Sequence, residues 1–107
     1  MKSALKKKKM KKNNILFLED LQRLIDKRKE EMPNNSYTTK LFKKGINKIA
    51  QKLGEEAVEL VIEAKDQDKE LLLNEAADLM YHLLVLLSAK NCSINEVVKV
   101  LEKRHNK

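Results

Sequence analysis

The sequence predicts an all-α protein, a bundle of four main helices plus one short helical segment, which we expect to assemble as a homo-oligomer. Only two Gly and one Pro occur among 107 residues, of which 36% are charged and 42% hydrophobic. Because β-rich folds need more turn-forming residues, this composition favours helices. Apolar residues also recur every three or four positions, the spacing of amphipathic helices. The length suits one domain with one core.

The first half of the chain predicts one long helix and one short helix. Residues 14–31 carry apolar side chains at helical spacing, and residues 32–35, Met-Pro-Asn-Asn, end the pattern. Ser36 is a good N-cap for a short helix over residues 37–44, which Gly45 interrupts. The inward positions predicted for the first helix are Phe17, Leu18, Leu21, Leu24 and Ile25.

The second half predicts a helical hairpin followed by a last helix. A stripe over residues 46–65 predicts the third helix, and it contains Ile46, Ile49, Ala50, Leu53, Ala57, Leu60, Val61 and Ala64. The polar connection at residues 66–68 is short, so the helix over residues 69–90 must return antiparallel. Its segment 79–89 is apolar on nearly every side, which predicts burial between subunits, yet it is shorter than the ~20 residues that cross a bilayer.

A capping box predicts where the last helix begins. Ser93 and Glu96 have the required spacing, and the helix is expected to reach His105. Its predicted inward positions are Ile94, Val97, Val98 and Leu101. His105, near the terminus, is expected to be solvated.

The formal net charge of +7 is concentrated at the amino terminus. Residues 1–12 contain seven lysines and no acid, so the remaining chain carries 16 basic and 16 acidic side chains. We expect residues 1–13 to form a disordered basic head, and residues 14–107 to form the domain. The head is a solvated tail, an upstream extension before a start at Met10, or an arm for nucleic acid. The lack of interleaved aromatic or Arg residues disfavours nucleic acid.

A single cysteine bears on the compartment. Cys92 excludes an intramolecular disulfide and a multi-cysteine zinc site, and the lysine run lacks the apolar stretch of a secretory signal. These observations agree with a cytoplasmic protein and favour neither a membrane nor a nucleic-acid partner.

Five of the acids in the two most apolar predicted helices form the candidate site, namely Glu55, Glu56, Glu59, Glu75 and Asp78. If the hairpin turns near Gln67, residues whose numbers sum to about 134 lie at equal height. Glu59 then lies opposite Glu75, and Glu56 lies opposite Asp78. Two (i, i+3) acid pairs would therefore lie side by side, across roughly 8–10 Å between helix axes.

Clustered carboxylates raise one another's pKa unless a cation neutralises them. Oxygen-only ligands favour Mg²⁺, with Mn²⁺ as a possible substitute, and Mg²⁺ commonly shares its coordination with substrate phosphates. The matching phosphate-binding charges are Lys40, Lys44, Lys48 and Lys52. His82 lies on the same polar strip as Glu75 and Asp78. A histidine in such a position more often forms a hydrogen bond, here with Asp78, than acts as a metal ligand or a base. For any single acid, the alternative interpretation is that it lies on a solvated face of its helix and has no role in a site.

Two strings resemble a known family. GEEAVE at residues 54–59, followed by EAADLMYHLLVLL at residues 75–87, resembles the EExxE…ExxD signature of the all-α MazG-like nucleotide pyrophosphohydrolases. SYTTKLFKKGINKIAQKLGEEAVELVIEA at residues 36–64 resembles, more narrowly, the phosphoribosyl-ATP pyrophosphohydrolases of histidine biosynthesis. The resemblance extends over residues 18–105.

This resemblance implies Mg²⁺-dependent hydrolysis of 1-(5-phosphoribosyl)-ATP to 1-(5-phosphoribosyl)-AMP and pyrophosphate. Carried over by position, the metal ligands would be Glu56, Glu59, Glu75 and Asp78, with Glu55 a further ligand or the residue that orients the attacking water. The four lysines would bind phosphates. In the family the enzyme is often fused behind a cyclohydrolase domain, and we expect the stand-alone form here. The alternatives are a MazG-like house-cleaning enzyme for nucleoside triphosphates and a non-enzymatic nucleic-acid-binding module.

Overall fold

The protein, described here from a computed structural model over residues 14–106, is all-helical within that range. A 3-10 turn at Asn14–Leu16 precedes five α-helices, which are α1 (Phe17–Glu31), α2 (Tyr37–Lys44), α3 (Ile46–Ala64), α4 (Lys69–Ala89) and α5 (Ile94–His105). The predicted fold class and helices are therefore confirmed, with all boundaries within one residue except the first, where the 3-10 turn occupies residues 14–16. The predicted basic head lies outside the described residues.

Local side-chain caps explain where the helices begin. The Ser36 hydroxyl accepts a hydrogen bond from the Thr39 backbone N–H at 3.2 Å, and Ser93 forms the predicted capping box with Glu96. Asp68 also caps α4, since its carboxylate accepts the Leu71 N–H at 3.1 Å. The sequence analysis treated Asp68 only as part of a polar connection.

The core lies where α1 and α2 cover one end of the α3–α4 hairpin. Its fully buried apolar side chains are Ile25 of α1, Leu41 of α2, Ile49 of α3, and Leu84 and Val85 of α4. α3 and α4 pack along each other, and α1 packs mainly on α4. The interior contacts therefore come from the first part of α3 and the second part of α4.

A buried glutamine joins three helices at this core. The Gln22 side chain of α1 donates to the Leu84 carbonyl of α4 at 3.1 Å and accepts the Ile94 N–H at the start of α5 at 2.9 Å. Nearby, the Ser88 hydroxyl donates to Asp26 at 2.5 Å, and Lys29 donates to the Ser88 carbonyl at 2.6 Å. Buried polar groups are thus paired across the helix interfaces, which sets the register of α1 on α4.

Several predicted inward positions are exposed in the single chain. They are Phe17 and Leu24 on α1, Ile46, Ala50, Val61 and Ala64 on α3, and Val98 and Leu101 on α5. The pattern identified apolar faces correctly, but the chain provides too few neighbouring helices to cover them all. α5, for example, contacts the rest of the domain mainly through α1.

The segment predicted to lie between subunits is partly buried within the chain. Within residues 79–89 the chain buries Leu84, Val85, His82 and Ser88, whereas Met80 is 40% exposed. Among the other exposed large side chains, one group lies at the turn end of the hairpin, on the second half of α3 and the first half of α4. We call this set the turn-end patch, comprising Val58, Val61, Ile62, Leu71 and Leu73.

Helix α4 has the length and composition of a membrane span. Its 21 residues include an 18-residue window of mean hydropathy 1.3, of which 22% is buried within the protein. Core helices of soluble proteins meet the same criterion, so this is weak evidence. Any such window contains Glu75 and Asp78, and an acid at the centre of a bilayer costs about 2.5–3.5 kcal/mol on insertion scales.

Candidate metal centre

Three carboxylates converge on one face of the α3–α4 hairpin. Oxygen atoms of Glu56 on α3, and of Glu75 and Asp78 on α4, lie within 4.8 Å of one another. Glu75 and Asp78 are one helical turn apart, so both face the neighbouring helix. We call these three residues the acid cluster, and its register matches the predicted pairing of Glu56 with Asp78.

The acid cluster perturbs the ionisation of one member. Burial raises the pKa of Glu75, and a hydrogen bond and charge repulsion from Glu56 raise it further, with smaller effects of Glu59 and Asp78. The carboxylates of the acid cluster thus repel one another, and a bound cation would remove this repulsion.

The other two predicted acids occupy different positions. Glu59 is exposed and lies outside the group of three, yet it is close enough to raise the pKa of Glu75. Glu55 is exposed beside Lys52, and a hydrogen bond from Gln51 at 2.9 Å lowers its pKa, helped by Lys52 and Lys48. Glu55 therefore remains an ionised acceptor at neutral pH.

Two of the four predicted lysines reach the acids. The Lys52 ammonium lies 3.5 Å from Glu55 and 4.0 Å from Glu56, while Lys48 is one turn earlier on α3 and acts electrostatically on Glu55. Lys40 and Lys44 are exposed on α2. Positive charge thus borders the acid cluster on the α3 side, where a phosphate group could replace a carboxylate as the partner of Lys52.

A tyrosine and a histidine connect α2 to the cluster. The Nδ1 atom of His82 donates to the backbone carbonyl of Asp78 at 2.7 Å, and Nε2 lies 2.8 Å from the Tyr37 hydroxyl. His82 is buried with both ring nitrogens occupied, which confirms the hydrogen-bonding interpretation, although its partner is the Asp78 carbonyl rather than the carboxylate. His105 is exposed, as predicted.

Tyr37 was not predicted from the sequence to be a site residue. Burial raises the pKa of its hydroxyl, Lys52 lowers it, and Glu56 raises it, so this phenol lies within electrostatic range of both groups. The sequence contains one indication that Tyr37 belongs to the site, because Tyr37 directly follows the Ser36 cap and lies on the same face of α2 as Lys40 and Lys44.

A separate groove of about 330 Å³ lies between α1 and the α4–α5 loop, and none of the three residues of the acid cluster lines it. Its lining includes Lys29, Asn91 and Cys92, and Lys29 already donates to the Asn91 side chain at 3.0 Å. The acid cluster instead occupies an open helical face, which suits a long, highly charged ligand better than a closed pocket does.

The donor set of the acid cluster fits a hard divalent cation. Opposite oxygen ligands of Mg²⁺ lie about 4.2 Å apart, so oxygens already within 4.8 Å of one another need only small rotations of their side chains to close on the ion. All the donors are carboxylate oxygens, which Mg²⁺ and Mn²⁺ prefer. Burial and the neighbouring carboxylates raise the pKa of Glu75, and a bound cation would oppose the repulsion among these carboxylates.

Comparison with known proteins identifies the family. The family model for phosphoribosyl-ATP pyrophosphohydrolase matches residues 18–105. The chain belongs to this family. The family predicted from the string at residues 36–64 is therefore confirmed, and the matched range includes the five acids and the four lysines of the predicted site.

Relatives within the family have two lengths. The chain is 56% identical over 92 residues to the histidine biosynthesis bifunctional protein HisIE of Bacteroides thetaiotaomicron, covering 86% of this chain and 45% of that protein. It is 48% identical over 90 residues to the phosphoribosyl-ATP pyrophosphatase of Leptospira biflexa, covering 84% of this chain and 98% of that one. The chain thus spans about half the length of its bifunctional relatives and nearly all of the shorter one.

Proposed function

We propose that this protein hydrolyses 1-(5-phosphoribosyl)-ATP to 1-(5-phosphoribosyl)-AMP and pyrophosphate, the second step of L-histidine biosynthesis. The acid cluster carries the proposal, because it places three hard oxygen donors together in a member of the phosphoribosyl-ATP pyrophosphohydrolase family. The Leptospira relative supports it, since this chain covers almost that entire protein.

In this proposal the acids and lysines have different tasks. Glu56, Glu75 and Asp78 hold Mg²⁺, and Glu59 joins them as a fourth ligand from its adjacent exposed position. When bound, Mg²⁺ supplies positive charge against the phosphate oxygens and acidifies water. The substrate phosphates are bound by Lys40, Lys44, Lys48 and Lys52. Lys52 lies next to the acids and thus reaches the phosphates that react.

The reaction needs no covalent intermediate. A water molecule attacks the α phosphorus, the bond from that phosphorus to the bridging oxygen breaks, and pyrophosphate leaves with the bonding electron pair, while the proton lost by the attacking water passes to the solvent. Glu55, whose lowered pKa keeps it ionised, accepts a hydrogen bond from the water and orients it. Lys52 and Lys48 compensate the negative charge that builds up on the leaving pyrophosphate.

We further propose that the protein is soluble, cytoplasmic, and a homodimer or larger assembly, with no membrane or nucleic-acid partner. The turn-end patch supports self-association, because contiguous exposed Val, Leu and Ile side chains mark interaction surfaces in soluble proteins. The same packing would cover the exposed half of α4 and account for its apolar composition.

A substrate panel tests the proposed activity. Purified protein is assayed for pyrophosphate release from phosphoribosyl-ATP, dUTP and the other deoxynucleoside triphosphates, with Mg²⁺, with Mn²⁺ and with EDTA. We expect phosphoribosyl-ATP to have the highest kcat/KM, and EDTA to stop turnover. Faster hydrolysis of a deoxynucleoside triphosphate would indicate the house-cleaning activity, and absence of any turnover would overturn both.

A further inference from the structure

The ring of Tyr37 has a distinct position among the aromatic side chains. The chain contains two Tyr, two Phe and no Trp, and all four rings lie in the described region. Phe42 and Tyr81 pack against the core, and Phe17 begins α1, which packs on α2, α4 and α5. Tyr37 is 49% exposed and is hydrogen-bonded to the helix that carries two of the three clustered acids. It therefore combines an accessible ring with proximity to the acid cluster.

Two hydrogen bonds in series hold this ring in place. Since the Asp78 carbonyl can only accept, His82 must donate from Nδ1, and in the neutral imidazole Nε2 then accepts the Tyr37 O–H. His82 is only 5% exposed, and its ring packs edge-on against Tyr37 at 5.8 Å between centroids. The next residue, Thr38, is fully buried and hydrogen-bonded to the Tyr81 hydroxyl, so the start of α2 is tied to α4 twice. A half-exposed aromatic ring is thus fixed beside a site for phosphates.

The hydroxyl hydrogen of Tyr37 is not available for a hydrogen bond to a ligand. Its O–H already donates to His82, so the phenol has no hydrogen left for a phosphate oxygen, and its free binding capacity is mainly the ring surface. Lys44 and Lys40 follow on the same face of α2, at about −20° and −60° around the helix from Tyr37. One helix face therefore presents a ring and then two ammonium groups, which matches a base attached to phosphates.

We propose that Tyr37 is a substrate-contact residue that determines specificity by stacking on the adenine of the substrate, with His82 as its positioning residue. The inference rests on the proposed function for the identity of the base. In 1-(5-phosphoribosyl)-ATP the second ribosyl group occupies N1, on the edge that hydrogen bonds normally read, whereas both faces of the purine stay free. Stacking on an aromatic side chain is worth about 1–3 kcal/mol per base.

Steady-state kinetics of three variants test the role of the ring. Tyr37→Leu removes the ring, Tyr37→Phe keeps the ring without the hydroxyl, and Tyr81→Phe is a matched control that changes the neighbouring tyrosine. We expect Tyr37→Leu to raise KM for phosphoribosyl-ATP by about 5- to 150-fold, the equivalent of 1–3 kcal/mol. Its kcat should change less than threefold, and Tyr81→Phe should stay within threefold in KM. Tyr37→Phe keeps the ring but loses the bond to His82 that positions it, so its KM should rise, but by less than in Tyr37→Leu. An unchanged KM in Tyr37→Leu, or an equal rise in Tyr37→Phe, would overturn the inference.

A binding measurement separates this inference from the proposed activity. In Tyr81→Phe, Tyr37 is the sole remaining tyrosine, and the chain has no Trp. Saturating α,β-methylene-ATP with Mg²⁺ should quench its fluorescence, whereas tripolyphosphate should not. Quenching by the nucleotide without turnover on any substrate would refute the proposed function and keep the stacking contact. Turnover of phosphoribosyl-ATP without quenching would support the proposed function and overturn the stacking contact. This measurement does not depend on whether Tyr37→Leu folds.

Discussion

The two ends of the α3–α4 hairpin are similarly apolar in sequence but differ in their surroundings. At one end Leu84 and Val85 are fully buried under α1 and α2, and the buried Gln22 side chain of α1 is hydrogen-bonded to the Leu84 carbonyl. At the other end, near the turn, Val61 and Leu73 are more than half exposed. The difference teaches that an apolar stripe identifies a face of a helix, whereas the packing of the other helices decides whether that face is buried within the chain.

The acid cluster lies between these two ends. Glu75 and Asp78 follow the exposed first half of α4 and precede the buried second half, which also holds His82. On the covered side, the His82 bond to the Asp78 carbonyl connects the cluster to a fixed scaffold. The carboxylates themselves remain accessible to a charged ligand.

Neutralising one clustered acid should have the largest effect. Glu56→Gln or Asp78→Asn is expected to lower kcat/KM for pyrophosphate release at least about 100-fold, because each would remove one of the proposed metal ligands. Thermal stability without metal should hold or rise, since repulsion is relieved. Glu70→Gln, an exposed acid on α4 outside the cluster, is the control. Full activity in both cluster variants would contradict the site assignment.

Matched leucine truncations compare the two ends of the hairpin directly. Leu84→Ala should lower the free energy of unfolding by about 2–5 kcal/mol through the cavity it leaves. Leu73→Ala should cost less than about 1 kcal/mol within one chain, yet it should weaken self-association measured by analytical ultracentrifugation. If Leu73→Ala left the association constant unchanged, the turn-end patch would not be the interface.

The smallest expected effect is a pH dependence of the metal-free protein. The folded-state pKa of Glu75 is raised, so its contribution to stability is fully present below its ordinary pKa of 4.5 and is lost as pH rises through the folded-state value. The lowered pKa of Glu55 acts in the opposite sense below 4.5. In EDTA the Tm should therefore fall less with rising pH in Glu75→Gln than in the unaltered protein.

Mg²⁺ completes this pH experiment. Added at pH 7, it should raise the Tm of the unaltered protein by binding the folded state, and raise that of Glu75→Gln less. Parallel Tm curves in EDTA, together with equal Mg²⁺ shifts, would show that Glu75 is neither perturbed nor involved in binding the ion.

The sequence by itself determined the helices, their caps and the approximate hairpin register. These features depend on neighbours within one or two turns, such as Ser93 with Glu96, or on the constant rise of a helix, which paired Glu56 with Asp78 across a short connection. The same local rules placed Lys52 beside Glu56. The roles of these acids and lysines, inferred from the chemistry of their side chains and from the family resemblance, stay predictions.

Only the tertiary structure decided which helices cover which faces. Tyr37 reaches His82 across 45 residues of sequence, and Gln22 joins Leu84 to Ile94 across more than 60, because the angle at which separate helices cross is set by packing rather than by local spacing. The same angles leave Glu59 outside the acid cluster and Val61 uncovered. Periodicity identifies the face of a helix that must be buried or used. Which other helix covers that face depends on the arrangement of distant segments in space.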